Sequence, residues 1–272
     1  MVEPAIQQFQ ASDAYAWKYR RFEATGAPRG SIIVLHGIQS HSGWYLESAE
    51  ALAKRGRQVS LLDRRGSGLN DEGRGDAPSF RRLLDDIAEF MATLSQPRFL
   101  IGISWGGKLA VALQRRHPGL CQGLVLIGPG ICPRVRPPLT ARLAIAASRP
   151  FAPIKTFPIP LNEPRLFTDN PKRQASIAED PLSLREATAR LLFESARLDF
   201  YLRRCPAAVQ IPTLLLLAGH DRIIDNARTR DYVSRFRGPT DVIEYPSAHH
   251  TLEFEPDGPP FLDDLAHWLE KV

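Results

Sequence analysis

Residues 99–108, Phe-Leu-Ile-Gly-Ile-Ser-Trp-Gly-Gly-Lys, constrain this chain more than any other stretch. Phe99 to Ile101 and Ile103 form the short apolar run of a buried strand, and Lys108 to Arg116 is a good helical stretch. Between them lies Gly102-Ile103-Ser104-Trp105-Gly106, a Gly-x-Ser-x-Gly on a strand-to-helix turn, the context that a nucleophile elbow needs. A serine on so sharp a turn sits in strained backbone, and neighbours without a Cβ let strand and helix pass closely. The turn also puts the hydroxyl at a helix N-terminus, where developing negative charge is favoured. A Ser-Gly turn without chemistry is the bland reading, so the motif needs partners elsewhere.

The rest of the chain supplies a frame for it. Residues 7–24 alternate around Tyr15, Trp17 and Tyr19 as an opening antiparallel pair. Ser31–Leu35, Gln58–Leu62, Gly123–Ile127, Ile211–Ala218 and Thr240–Tyr245 read as further strands. Helical spacing covers residues 44–56, Phe80 to Leu94, 226–237 and Pro260 to Val272. Alternating strand and helix predict a mostly parallel, doubly wound α/β sheet with helices on both faces. The pattern breaks over residues 129–206, which hold about half of the 23 prolines and no clear strand. Within them Leu139–Ala147 and Leu184–Leu202 have helical periodicity, with Ser183 as a cap for the second. The expected organisation is an α/β core from 1–128 and 207–272, with 129–206 inserted as a helical lid. A disordered linker is disfavoured because Leu, Phe and Ile stay frequent there.

At 272 residues and 43% apolar content the chain can bury a sizeable core. Its net charge of +5 comes from scattered arginines without an aromatic-basic run, which argues against a nucleic-acid partner. Three cysteines, Cys121, Cys132 and Cys205, are odd in number and lack metal spacing, so they read as reduced intracellular thiols. The start of the chain lacks a signal peptide's basic and apolar pattern, and no apolar run is long enough to span a bilayer. A cytoplasmic protein is the expectation. The sequence does not specify an oligomeric state.

A serine is a poor nucleophile until a histidine takes its proton, and a carboxylate must hold that histidine in the right tautomer. Asp221 follows the Ile211–Ala218 strand and His250 follows the Thr240–Tyr245 strand. The order Ser104, Asp221, His250 is the one associated with the elbow motif. Asp225 is a rival acid whose plainer role is helix capping, and spacing hardly separates His249 from His250. His220, His117 and His267 read as surface residues. His36, ahead of the Gly/Ser-rich loop His36–Gly43, reads as a hydrogen-bonding prop.

With these motifs in order, the chain from about residue 28 to its end resembles α/β-hydrolases of the monoglyceride lipase and lysophospholipase group. That family also includes serine aminopeptidase (S33)-like sequences. The carriers are His36-Gly37-Ile38 with Ser40-His41-Ser42-Gly43-Trp44-Tyr45, Asp63-Arg-Arg-Gly-Ser-Gly68, Gly102–Gly106, Gly219-His-Asp221-Arg and Ala248-His-His250-Thr-Leu252. The resemblance implies His250 as the base and an oxyanion hole built from the Ile38 and Trp105 backbone N–H groups. It implies neither a metal nor an organic cofactor. Where relatives commonly carry Gly-Glu this chain has Gln39-Ser40, and Ile103 stands where His is frequent. The usual Ser after the Asp-x-Arg-Gly-x-Gly loop gives way to Leu69-Asn70. Gln39, Ile103 and His249 are therefore the candidate substrate-binding positions. Asp63 reads as structural, bonding the glycine turn.

The expected function is a serine hydrolase acting on a small-molecule carboxylic ester, monoacylglycerol- or lysolipid-like or of medium acyl length. A thioesterase or acyltransferase would use the same triad, and a ligand-binding relative without turnover is the alternative of another class. Leu139, Leu143, Ile145, Phe151, Ile154 and Phe157 of the insertion are candidate pocket or core residues. Arg134, Arg136, Arg142 and Arg149 read as solvated charge, with steering of an anionic group as the sharper alternative.

Overall fold

The computed structural model describes residues 3–272. It opens with an antiparallel pair, β1 (Ala5–Gln10) and β2 (Ala16–Phe22). Strand and helix then alternate through β3 (Ser31–Leu35), α1 (Leu46–Lys54), β4 (Gln58–Leu62), α2 (Phe80–Ala92), β5 (Arg98–Ile103), α3 (Trp105–Arg116) and β6 (Gly123–Ile127). Next come α4 (Leu139–Phe151), β7 (Thr156–Pro158), α5 (Pro171–Glu179), β8 (Glu186–Thr188) and α6 (Ala189–Leu202). The chain closes with β9 (Thr213–Ala218), α7 (Asn226–Val233), β10 (Thr240–Tyr245) and α8 (Leu262–Lys271).

Eight strands make one sheet in the order β1-β2-β4-β3-β5-β6-β9-β10. From β4 to β10 every neighbouring pair is parallel. The β-branched and Leu-rich runs Ser31–Leu35, Gly123–Ile127 and Thr213–Ala218 are buried at every residue, as strands covered on both faces must be. Edge strand β10 has no fully buried residue and exposes Asp241 and Glu244, charges that discourage further pairing. Ser79 caps α2 by accepting the Arg82 N–H, and Leu83, Leu84, Ile87, Phe90 and Met91 form its buried stripe. Phe90 packs against Trp17 and Tyr19 of β2, at ring separations of 5.3 and 4.7 Å, which ties the antiparallel pair to the core.

The strand order reverses around β3, which has β4 on one side and β5 on the other. The crevice beyond the carboxyl ends of such strands is where open α/β sheets bind ligands. The loop after β3 carries His36–Gly43 and the turn after β5 carries Ser104, so both motifs open onto that crevice.

Residues 129–206 differ in detail from the sequence reading. Two short strands are present, β7 and β8, paired antiparallel. Each is only three residues long, too short for a period-2 signal to register. The helix expected over 184–202 begins at Ala189, because β8 occupies its first turn and Thr188, not Ser183, accepts the Leu191 N–H at 3.1 Å. Ser183 instead donates to Asp180 Oδ2 at 3.0 Å. Helix α5, capped by Asn170 with Pro171 at its first position, escaped the reading because Ile177 is its one buried residue and leaves no apolar stripe. α6 anchors this segment to the sheet layer. Trp105 Nε1 donates to Ser195 Oγ at 2.9 Å, Lys108 pairs with Asp199 at 2.5 Å, and Glu194 accepts the Phe80 N–H at 3.1 Å. α4 lies on α6 and buries Ile145 alone, leaving Leu139, Leu143 and Phe151 exposed. No helix among the described residues is long and apolar enough to cross a membrane.

Candidate active site

Ser104 ends β5 and precedes α3 with φ 51° and ψ −120°, a left-handed conformation that side chains other than glycine rarely adopt. Its backbone is held from three directions. Ser104 N–H donates to Ile127 O at 3.0 Å, and its carbonyl accepts Gly107 N–H at 2.9 Å and Gly130 N–H at 2.7 Å. At Gly106 a Cβ would come within 2.2 Å of the Leu35 carbonyl oxygen, so the close crossing of α3 over β3 requires glycine there.

His250 Nδ1 lies 2.8 Å from Asp221 Oδ2, and both side chains are buried. The other carboxylate oxygen accepts the Ile223 and Ile224 N–H groups, each at 2.8 Å, which leaves Asp221 one orientation. His250 Nε2 is buried without a protein partner, and Ser104 and His250 line the same small chamber of about 10 Å³. No hydrogen bond closes between Ser104 Oγ and His250 Nε2. Neither the Ile38 nor the Trp105 backbone N–H is taken by an acceptor among the described residues. Gly37, just before Ile38, faces Ser104 closely enough that a Cβ would meet Ser104 Cβ at 3.4 Å.

The other sequence candidates fall elsewhere. Asp225 caps α7 by accepting the Arg228 N–H at 3.1 Å. His249 sits between Asp169 at 2.9 Å and Glu255 at 3.2 Å and does not line the chamber. His220 and His267 are exposed, and His117 pairs with Asp85 at 2.7 Å. His36 is buried beside the Arg64 guanidinium, and both effects push its imidazole well below its usual range, so it stays neutral. Asp63 accepts from Ser42 N–H at 2.7 Å and Leu69 N–H at 3.1 Å, joining the loops after β3 and β4. Burial pushes the Cys121 thiol up to about 11 and the Cys205 thiol up to about 12, away from a reactive thiolate. No group of His, Cys, Asp and Glu among the described residues could hold a metal ion.

Ile103 and Gln39 do line the chamber. The Gln39 side chain is buried with neither its Oε1 nor its Nε2 partnered, although its backbone carbonyl accepts Leu184 N–H at 2.8 Å. Sequence reasoning missed Arg64. Its guanidinium donates to Gly37 O at 2.8 Å and to Ile38 O, and lies 5.1 Å from the centroid of the Trp105 ring. Burial lowers its pKa to about 9. The signal was available: β3 and β4 are neighbours, so the loops at their carboxyl ends must adjoin. From Ser104 and Trp105 a larger cavity of about 680 Å³ runs past Ile131, Leu143 and Leu192 to Tyr232. That size and its aliphatic walls suit a small organic ligand.

The chain is similar in sequence and fold to known proteins. The chain is 27% identical to a monoacylglycerol lipase of Mycolicibacterium smegmatis over 89% of its own length and 88% of the relative's. It is 26% identical to human monoglyceride lipase, over 87% and 80%. Its fold superimposes on a monoacylglycerol lipase from Paleococcus ferrophilus with a TM-score of 0.84, at 22% identity over 93% and 98% of the two chains. A soluble variant of the monoglyceride lipase from Saccharomyces cerevisiae, in complex with a substrate analog, gives a TM-score of 0.86 at 19% identity over 100% and 96%. Residues 26–257 match the family described as serine aminopeptidase, S33. The chain belongs to this family, with the α/β-hydrolase fold, and is a hydrolase of the lipase and esterase type.

Proposed function

We propose that this chain is a serine esterase that cleaves small-molecule carboxylic esters, lysolipid-like or of medium acyl length, through Ser104, His250 and Asp221. The observation that carries the reading is the His250–Asp221 pair at 2.8 Å, with Nε2 left free beside a strained serine. Asp221 holds His250 in the tautomer that leaves Nε2 as the base. Nε2 takes the Ser104 proton as Oγ attacks the ester carbonyl. The carbonyl oxygen becomes an oxyanion and rests on the Ile38 and Trp105 N–H groups. Protonated His250 then gives its proton to the leaving alkoxide as the C–O bond breaks, leaving an acyl-serine. Water, deprotonated by the same nitrogen, attacks that ester and releases the acid and the free serine.

Arg64 is a positioning residue in this scheme. A trans peptide points its C=O and N–H in opposite directions, so holding the Gly37 carbonyl from behind aims the Ile38 N–H. Gln39 and Ile103 face the substrate near the reacting carbonyl. Residues 129–206 act as a lid over the core formed by 1–128 and 207–272, and their aliphatic side chains wall the acyl site. The chemistry draws on no metal or organic cofactor. Fluorophosphonate labelling and p-nitrophenyl ester turnover test the reading. Wild type should be labelled at Ser104 and Ser104→Ala should lose both signals while keeping its melting temperature; turnover retained by Ser104→Ala refutes it.

A further inference from the structure

The cavity that starts at Ser104 has an uneven charge. Five arginines line it: Arg136 and Arg142 from the inserted segment, Arg203 just past α6, and Arg228 and Arg235 in and just after α7. The lining has one carboxylate, Asp199, and Lys108 already neutralises it across 2.5 Å. Arg136, Arg142, Arg203 and Arg228 have no carboxylate partner among the described residues. Arg235 reaches only Asp231, at 3.9 Å, with both groups largely exposed.

Three of these arginines come from segments that adjoin at Tyr232. Arg228 lies one turn before Tyr232 on α7, and the Arg235 guanidinium lies 5.1 Å from the Tyr232 ring centroid. The Tyr232 hydroxyl donates to the Leu202 carbonyl at 2.6 Å, which ties α7 to the end of α6, where the Arg203 guanidinium lies 5.3 Å from the Phe200 ring centroid. The same cavity is lined by the aliphatic side chains of Ile131, Val135, Ile145, Leu161 and Ile223. All five arginines are exposed, so their mutual repulsion is screened by salt, but their summed field still draws an anion into the cavity in preference to a neutral molecule. Arginine's planar fork also matches carboxylate and phosphate oxygens.

We propose that the substrate is an amphiphilic anion, an acyl ester carrying a carboxylate or phosphate monoester on the same molecule. Its aliphatic body fills the middle of the cavity and its anion sits among Arg203, Arg228 and Arg235. The inference rests on the esterase reading above and narrows its substrate class.

Two matched pairs of esters test it, each used below its micelle concentration. 1-Decanoylglycerol against 1-decanoylglycerol 3-phosphate places the anion on the alcohol. p-Nitrophenyl decanoate against the mono-p-nitrophenyl ester of sebacic acid places it at the end of the acyl chain. In at least one pair the anionic member should have kcat/KM about tenfold higher at low salt, an advantage that shrinks severalfold in about 0.5 M NaCl. Arg203→Gln with Arg228→Gln should collapse that ratio without moving the melting temperature, while Arg237→Gln, an exposed position outside the cavity, keeps it. Equal or better turnover of the neutral member in both pairs, or a ratio indifferent to the two substitutions, overturns the proposal. If no ester turns over and fluorophosphonate leaves Ser104 unlabelled, the esterase reading fails by itself. Calorimetric titration of Ser104→Ala with the four esters then still decides the charge preference, tighter binding of an anionic member supporting it and equal binding overturning it.

Discussion

The Arg64 guanidinium donates to the Gly37 carbonyl at 2.8 Å, on the opposite edge of the peptide from the Ile38 N–H. A second donor takes the Ile38 carbonyl, and the same guanidinium lies over the Trp105 indole. One side chain therefore contacts both residues assigned to the oxyanion hole without facing the substrate itself. Arg64→Met keeps much of the stem and removes the donors. It should lower kcat by about 10- to 100-fold, somewhat less than removing a donor outright, and change KM little. Affinity for a boronic acid transition-state analogue should fall in step with kcat/KM. A variant that loses stability while keeping kcat would make Arg64 structural only.

The two aspartates after β9 separate cleanly by substitution. Asp221→Asn keeps the shape but presents an amide to His250 Nδ1, favouring the wrong tautomer, and esterase kcat should drop by about 10⁴-fold. Asp225→Ala removes the α7 cap and should cost about 1 kcal/mol of stability with esterase turnover retained. Denaturant melts and p-nitrophenyl butyrate assays on both variants check the assignment, and a reversed pattern would make Asp225 the orienting acid.

Much of this was legible in the residues because the relevant signals are local. Thr240–Tyr245 is a strand, as its residues predict, and the turn at Ser104 lies between the strand and helix that flank it in sequence. The pairing of His250 with Asp221 was accessible through chain order, since consecutive parallel strands bring their carboxyl-end loops together. Arg64 was harder to read. Its importance comes from contacts between loops far apart in sequence, and no periodicity records them. Within 129–206 the elements that escaped, β7, β8 and α5, are short, and the segment is also held by polar ties such as Asp180 to His41 and Trp44, at 2.8 and 2.7 Å. Hydrophobic patterning carries no trace of those ties.

Gln39 buries an amide with no partner for its oxygen or its nitrogen. Leaving such groups unmet costs about 1–3 kcal/mol, a cost tolerated more readily at a binding site than in a core. Gln39→Met has a similar length and no such groups, so it should raise stability by about 1–2 kcal/mol. It should also raise KM for a glycerol ester more than for an ethyl ester of the same acid, because only the former offers hydroxyls to the amide. Urea melts with paired kinetics decide it, and a destabilised Gln39→Met would mean that the amide is satisfied by bound water.

Glu253 follows His250 closely in sequence but faces the core side of α1, where its Oε1 accepts Ser48 N–H at 2.9 Å and its Oε2 has no partner. Burial, reinforced by Glu47, raises its carboxyl from 4.5 to about 7, against the lowering effects of the Ser48 hydrogen bonds and Arg173. Below pH 4.5 the group is protonated in both the folded and the unfolded chain and adds no pH dependence. Between there and about 7 the unfolded chain releases its proton first, so the native state binds more protons and loses stability as pH rises. Above that range the loss is complete, at about 3 kcal/mol. Glu253→Gln preserves the acceptor for Ser48 and cannot ionise. It should match wild type near pH 4 and exceed it by several degrees in melting temperature at pH 8, measured by calorimetry across the range. Parallel pH profiles for the two proteins would show that Glu253 ionises normally in the fold.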